Sequence, residues 1–169
     1  ARSARTHSSK SYAAGACASA VQSQKKIKEI VITVGETGAL AGLLAGTLDI
    51  TVTSTLFARQ GLSVERLWQG IASGVLGSSA FSGGRKIAAL GLFFHFVIAF
   101  SVAAIYFALS RRLSLLIEAP FLCGAIYGAA VHVVMSRIVL PLSIAPKRVF
   151  SAKAFFIQLV VHICFVGLP

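Results

Sequence analysis

The chain has 169 residues, 56% of them hydrophobic and only 12% charged, with a mean hydropathy of +0.83 and a formal net charge of +11. Such a composition excludes an ordinary soluble domain, and the length leaves room for about four helical spans of roughly 20 residues with short connections. The positive charge does not point to nucleic acid, because Arg85-Lys86, Arg111-Arg112 and Lys147-Arg148 lie at the ends of apolar runs, where they meet lipid headgroups.

Residues 1–30 form a basic segment in which no acid precedes Glu29. It reads as a disordered tail, although an Ala- and Ser-rich, acid-free stretch also resembles an organellar transit segment. A start at Ala1 fits processing. The A-G-A-C around Cys17 lacks a preceding apolar region, so it does not read as a lipidation site.

The remainder, 31–169, reads as one transmembrane domain. Apolar runs over about 38–58, 87–109, 120–140 and 154–168 predict four crossings, the last of them short. Between the first two, Ser63 suits a helix cap and Glu65 the first turn, while Val64, Leu67, Trp68, Ile71 and Val75 recur at helical spacing. This predicts an amphipathic interfacial helix over about 63–76, with Trp68 as its headgroup-level anchor. The expected fold is therefore all-α, a four-helix transmembrane bundle with one interfacial helix. Orientation stays open: eight Lys and Arg fall on the side of the amino terminus and Arg111-Arg112, against seven, or eight with Arg137, on the other.

Each predicted span carries one ionisable residue: Asp49, His95, His132 and His162. Such groups are costly in hydrocarbon and turn inward. Counted from one membrane face along antiparallel helices, all four fall about 12 Å deep at 1.5 Å per residue. They also share faces with small residues: Gly38, Gly42 and Gly46 near Asp49, Gly91 with His95, Gly124 and Gly128 with His132, and Gln158 with His162. These six glycines are expected helix-packing positions.

Four readings of the group stay open. In the first it is polar glue between helices. In the second, His95, His132 and His162 offer axial ligands for haem b, with glycines making room for the macrocycle. In the third, Asp49 and the three histidines together offer an N3O set for a transition metal. In the fourth the group passes protons or holds an ion. Tyr106 and Tyr127 read as packing aromatics, and Cys17, Cys123 and Cys164 are too scattered for a disulfide framework or a zinc ribbon. No soluble-enzyme motif, phosphate loop or extramembrane carboxylate pair is present.

The runs G-L-L-A-G-T-L-D-I (42–50), I-A-S-G-V-L-G (71–77), H-F-V-I-A-F (95–100), A-I-Y-G-A-A-V (125–131), L-P-L-S (140–143) and V-G-L-P (166–169) resemble a group of small bacterial four-span integral membrane proteins of unassigned function. The likeness covers about three quarters of the chain and implies a cytoplasmic-membrane location, with an organellar inner membrane as the alternative. It also implies a fourth span that continues past Pro169, and it brings no activity with it. The expected role is a non-enzymatic accessory or scaffold subunit, with the lipid bilayer and other membrane subunits or further copies of the chain as partners. A haem- or metal-binding redox component and a small proton- or ion-coupled transporter are the alternatives.

Overall fold

The structure, a computed structural model, describes residues 3–147 and 151–168, excluding the side chains of 3–20, 27 and 29–34. Two compact units divide the chain, Ala1–Thr37 and Gly38–Pro169. In the first, helical backbone runs from Ser3 onward. Residues 16–34 contain no proline or glycine to interrupt a helix.

The fold is all-α, with seven α-helices among the described residues. The first, α1 (Ser3–Arg59), stops where Gly61 adopts a positive φ of 72°. There the Gly61 N–H donates to the Ala58 carbonyl at 2.9 Å and the Leu62 N–H to the Phe57 carbonyl at 3.1 Å. This is the Schellman pattern, which occupies the last carbonyls of a helix. The next helix, α2 (Val64–Leu76), starts on the Ser63 hydroxyl, which accepts from the Arg66 N–H at 3.4 Å. A 3-10 turn, Gly77–Ser82, leads into α3 (Gly84–Ser110). A short α4 (Leu115–Glu118) then precedes α5 (Pro120–Val134), whose first residue is a proline that needs no N–H partner there.

α5 passes through a π-helical turn, Met135–Val139, into α6 (Leu140–Leu142), making a continuous helical stretch Pro120–Leu142. Pro141 accounts for the π turn: its ring crowds the carbonyl four residues back, and a locally widened helix relieves that contact. Finally α7 (Ala152–His162) is capped by Ser151 and widens into a second π turn, Ile163–Gly167.

Gly35–Arg59, Gly84–Ser110 and Pro120–Leu142 are each long and apolar enough to cross a membrane, whereas Ala152–Gly167 is a shorter apolar helix. Leu40, Phe93, Ile105, Phe121, Leu122 and Ile126 are all exposed on these helices. Aqueous surfaces rarely carry apolar area so continuously; a lipid-facing one does.

Within Gly38–Pro169, residue pairs give the helix directions. Gly42 lies against Phe100 and Gly46 against Phe96 and Ala99, so α1 and α3 are antiparallel. Thr53 meets Gln158 and Asp49 meets His162, so α1 and α7 are antiparallel. Gly128 lies against His162 and Gly124 against Gly167, which makes α5 and α7 antiparallel as well. The α1–α2 turn, the start of α3, the end of α6 and the start of α7 thus share one end of the unit. The Arg111-Arg112 turn and the start of α5 lie at the other.

α2 packs on α3 by a face the amphipathic pattern does not single out. Its buried residues are Gln69, Ala72 and Ser73, while Val75 on the apolar stripe is 61% exposed. Small side chains let the two backbones meet, and a Cβ added at Gly91 would strike the Trp68 carbonyl. Gln69 adds a bond from Nε2 to the Gly84 carbonyl at 3.2 Å. Gly91→Val therefore levers α2 away from α3, an overpacking cost of about 1–3 kcal/mol. Thermal unfolding in mild detergent measures it, and emission from Trp68, the chain's single tryptophan, shifts with it; unchanged stability and emission would refute the contact.

Candidate functional site

Four helix stripes converge inside Gly38–Pro169. On α1, Gly42, Ala45, Gly46, Asp49 and Thr53 are buried at spacings of three and four residues, one face of a helix. α3 presents Ala88, Gly91 and His95, α5 presents Gly124, Gly128 and His132, and α7 presents Gln158, Val161 and His162. The glycines bring backbones close enough for short polar side chains to meet across them. A Cβ at Gly128 would strike the His162 carbonyl, and one at Gly124 the Gly167 carbonyl. Gly38 differs, with nothing within 4 Å of its would-be Cβ.

Asp49 and His132 are among the most buried polar residues described, at 8% and 5% exposure. Asp49 Oδ1 lies 3.9 Å from His162 Nδ1. That nitrogen is 2.9 Å from the carbonyl of Gln158 in its own helix, and because a carbonyl only accepts, Nδ1 carries the hydrogen and donates it there. Asp49 Oδ1 is left without a hydrogen-bond partner, and so is His132 Nε2. The His132 and His162 rings lie in tilted contact with centroids 4.9 Å apart, and the Phe155 ring lies 4.7 Å from His132. Arg137, in the π turn below His132, sits 5.3 Å over that same Phe155 ring.

His95 takes a different place. Its Nε2 donates to the Gly46 carbonyl at 2.9 Å, using a peptide oxygen of α1 nearly one turn before Asp49. Equal depth for all four groups, as counted on straight helices, thus resolves into three side chains in sequence, Asp49, His162 and His132, with His95 set beside them and tied to backbone. Asp49 remains within electrostatic reach of both His162 and His95.

Around this core further polar contacts tie the helices together, and Thr53 and Ser54 enter them without having been singled out by sequence spacing. Gln158 Nε2 donates to Thr53 Oγ1 at 3.0 Å, one helical turn from His162 and Asp49 respectively. Tyr127 donates to the Val102 carbonyl at 2.7 Å and meets the Tyr106 ring at a tilt with centroids 4.9 Å apart, tying α5 to α3. The Trp68 indole donates to Ser54 Oγ at 3.2 Å, so the expected headgroup anchor is engaged with α1. Thr53 had a readable signal, lying four residues beyond Asp49 on the same face; the Tyr127 bond had none, since it depends on an acceptor in another helix.

The geometry bears on the ligand readings. Among the described residues, no three His, Cys, Asp or Glu side chains are placed to hold a metal ion. Haem between two histidines needs a gap for the macrocycle, whereas the His132 and His162 rings touch and His95 spends Nε2 on Gly46. What the cluster does offer is a change of hydrogen-bond partner. His162 Nδ1–H faces two acceptors, and closing the 3.9 Å separation to a charge-assisted bond of about 2.8 Å would move its hydrogen from the Gln158 carbonyl to Asp49.

Gln158→Leu removes the donor to Thr53 while keeping side-chain volume close. Interhelical hydrogen bonds of this kind average about 0.6 kcal/mol with a ceiling near 1.7. A loss in that range on thermal unfolding in detergent is expected for Gln158→Leu and also for Tyr127→Phe; a loss of more than about 3 kcal/mol at either would mean that the bond anchors more than one helix pair.

No protein-family model, curated protein or solved structure matches the chain. The structure stands as a helical protein with three candidate membrane spans, and its site has to be read from its own chemistry.

Proposed function

We propose that the chain is a four-span integral membrane protein, α7 with its π turn being the fourth crossing, and that its working part is an intramembrane proton site made by Asp49, His162 and His132. The observation that carries this reading is the buried Asp49 carboxylate, 3.9 Å from an imidazole nitrogen whose ring lies in tilted contact with a second imidazole. A carboxylic acid in hydrocarbon persists only with partners, and histidine is the side chain whose charge changes near neutral pH. Packing alone asks for less than this, because polar contacts between membrane helices contribute on the order of 1 kcal/mol.

The role that suits such a site is a proton-responsive subunit of a membrane assembly, in a bacterial cytoplasmic or an organellar inner membrane. Gly38 favours the assembly: it continues the Gly42–Gly46 stripe, yet has open space where those two have α3. Proton- or ion-coupled transport is the form this reading takes if the site opens to each membrane face in turn.

Infrared difference spectra of the protein in lipid, recorded between pH 8 and pH 5, test the proton site. The expected result is a protonated-carboxyl band that appears with falling pH, is absent in Asp49→Asn, and changes its pH midpoint by at least half a unit in His162→Gln. If the Asp49→Asn spectrum matches wild type, Asp49 does not exchange a proton and the reading fails.

A further inference from the structure

α2 crosses the packed unit instead of running beside one helix. Its Trp68 indole reaches Ser54 of α1, its Trp68 carbonyl lies against Gly91 of α3, and its Gly74 carbonyl accepts from the Ile144 N–H, just past α6, at 3.3 Å. The packed side is Gln69, Ala72 and Ser73. Turned away from it, Val64, Leu67 and Ile71 are half-buried and Val75 is exposed, so an apolar stripe at helical spacing is only partly covered. Leu62, just before the helix, is exposed as well.

Charge gathers at the same end. Arg59, Arg66, Arg85, Lys86, Lys147 and Lys153 are all exposed there, and among the described residues none of them has a carboxylate within ion-pair distance. The acid beside them, Glu65, accepts from Gln69 instead. Gln69 also donates to the Gly84 carbonyl, which sets the Arg66 turn of α2 beside the first turn of α3, where Arg85 and Lys86 follow. That turn has no acid, and the dipole of a helix opposes cations at its start. At the opposite end Arg111 and Arg112 follow the last residue of α3, where the dipole favours them, and Glu118 stands before α5. One end of the unit is thus strongly cationic and the other much less so.

We infer, on the membrane-spanning reading above, that the α2 end is a docking surface for anionic phospholipid: phosphate headgroups meet Arg66, Arg85 and Lys86 while acyl chains cover the apolar stripe of α2. Such a lipid satisfies both halves of the surface, because it brings a negative phosphate and hydrocarbon in one molecule. A soluble anion or a nucleic acid would answer the charges and leave Leu62 and Val75 bare. A zwitterionic phospholipid would cover the apolar stripe and leave the cations unmatched. The attraction of Lys and Arg to an anionic leaflet fades within a Debye length, so the residues that count are those at headgroup level, beside α2.

Trp68, the chain's single tryptophan, is half-buried in α2 and reports the lipid beside it. The full chain is reconstituted in bilayers that mix phosphatidylglycerol and phosphatidylcholine, with bromine on the acyl chains of one lipid at a time. Quenching of Trp68 emission then gives the ratio of their occupancies. A preference for phosphatidylglycerol of about fivefold is expected, the ratio that one Lys or Arg near an anionic surface supplies. It disappears in Arg66→Gln/Arg85→Gln/Lys86→Gln, survives in Arg66→Lys/Arg85→Lys, which keeps the charge, and is untouched by Arg111→Gln/Arg112→Gln at the far end. Arg85→Gln and Lys86→Gln made singly each lower it, which decides the matter should the triple variant fail to insert. Equal quenching by the two lipids, a preference that the glutamine substitutions leave intact, or one that Arg111→Gln/Arg112→Gln abolishes, overturns the inference. Equal quenching in a fully inserted chain leaves the membrane reading standing; a chain that floats with neither kind of vesicle removes both.

Discussion

Everything in the packed unit depends on how closely helix backbones approach at glycine. Hydrocarbon gives helices no hydrophobic reason to associate, so what holds them is surface contact and the polar bonds that contact allows. Gly42 and Gly46 let α3 press on α1, Gly91 lets α2 press on α3, and Gly124 and Gly128 let the last turns of α7 press on α5. Only at such separations can a side chain as short as aspartate come near an imidazole on the neighbouring helix, or His95 reach a peptide carbonyl of α1. The ionisable groups are thus consequences of the packing as much as contributors to it.

Much of this was legible in the sequence, for a plain reason. Helical periodicity fixes which residues share a face, and hydrocarbon penalises polar residues on the outside, so Asp49, His132 and His162 fall on the faces that carry Gly46, Gly128 and Gln158. The Ser63 cap was equally local. Less legible were features set by two segments at once. Straight-helix counting gave His95 the depth of Asp49, but its ring is drawn to the Gly46 carbonyl. The hydrophobic pattern of α2 marked an apolar stripe, yet the face that packs is the small and polar one, because backbone approach outweighs side-chain burial when lipid or headgroups wait on the other side. The π turns follow from Pro141 in one case and have no counterpart in sequence pattern in the other.

The two π turns bracket the site. One follows His132 by three residues and the other follows His162 directly. A π turn spreads the backbone and leaves carbonyls less firmly engaged than in an α-helix, and such widenings recur beside functional residues. Here each lies on a helix that contributes one of the two imidazoles in contact, so the ring pair is held by the least regular parts of α5 and α7, while Asp49 sits within the uninterrupted helix α1. Any motion that exchanges the partners of His162 has its give on the histidine side and its fixed point on α1.

The meeting of Gly124 and Gly167 has a consequence for how this chain can vary. A Cβ placed on either residue runs into the other's carbonyl oxygen, and a carbonyl cannot be trimmed by changing a neighbouring side chain. No second substitution elsewhere in the contact can restore the fit; the helices must part instead. Once they have parted, the second glycine no longer faces a wall, and replacing it costs little more. The two positions are therefore strongly non-additive, each indispensable while the other is intact and dispensable once it is lost. The chain has no gradual route away from this contact, since every path leaves it in a single step.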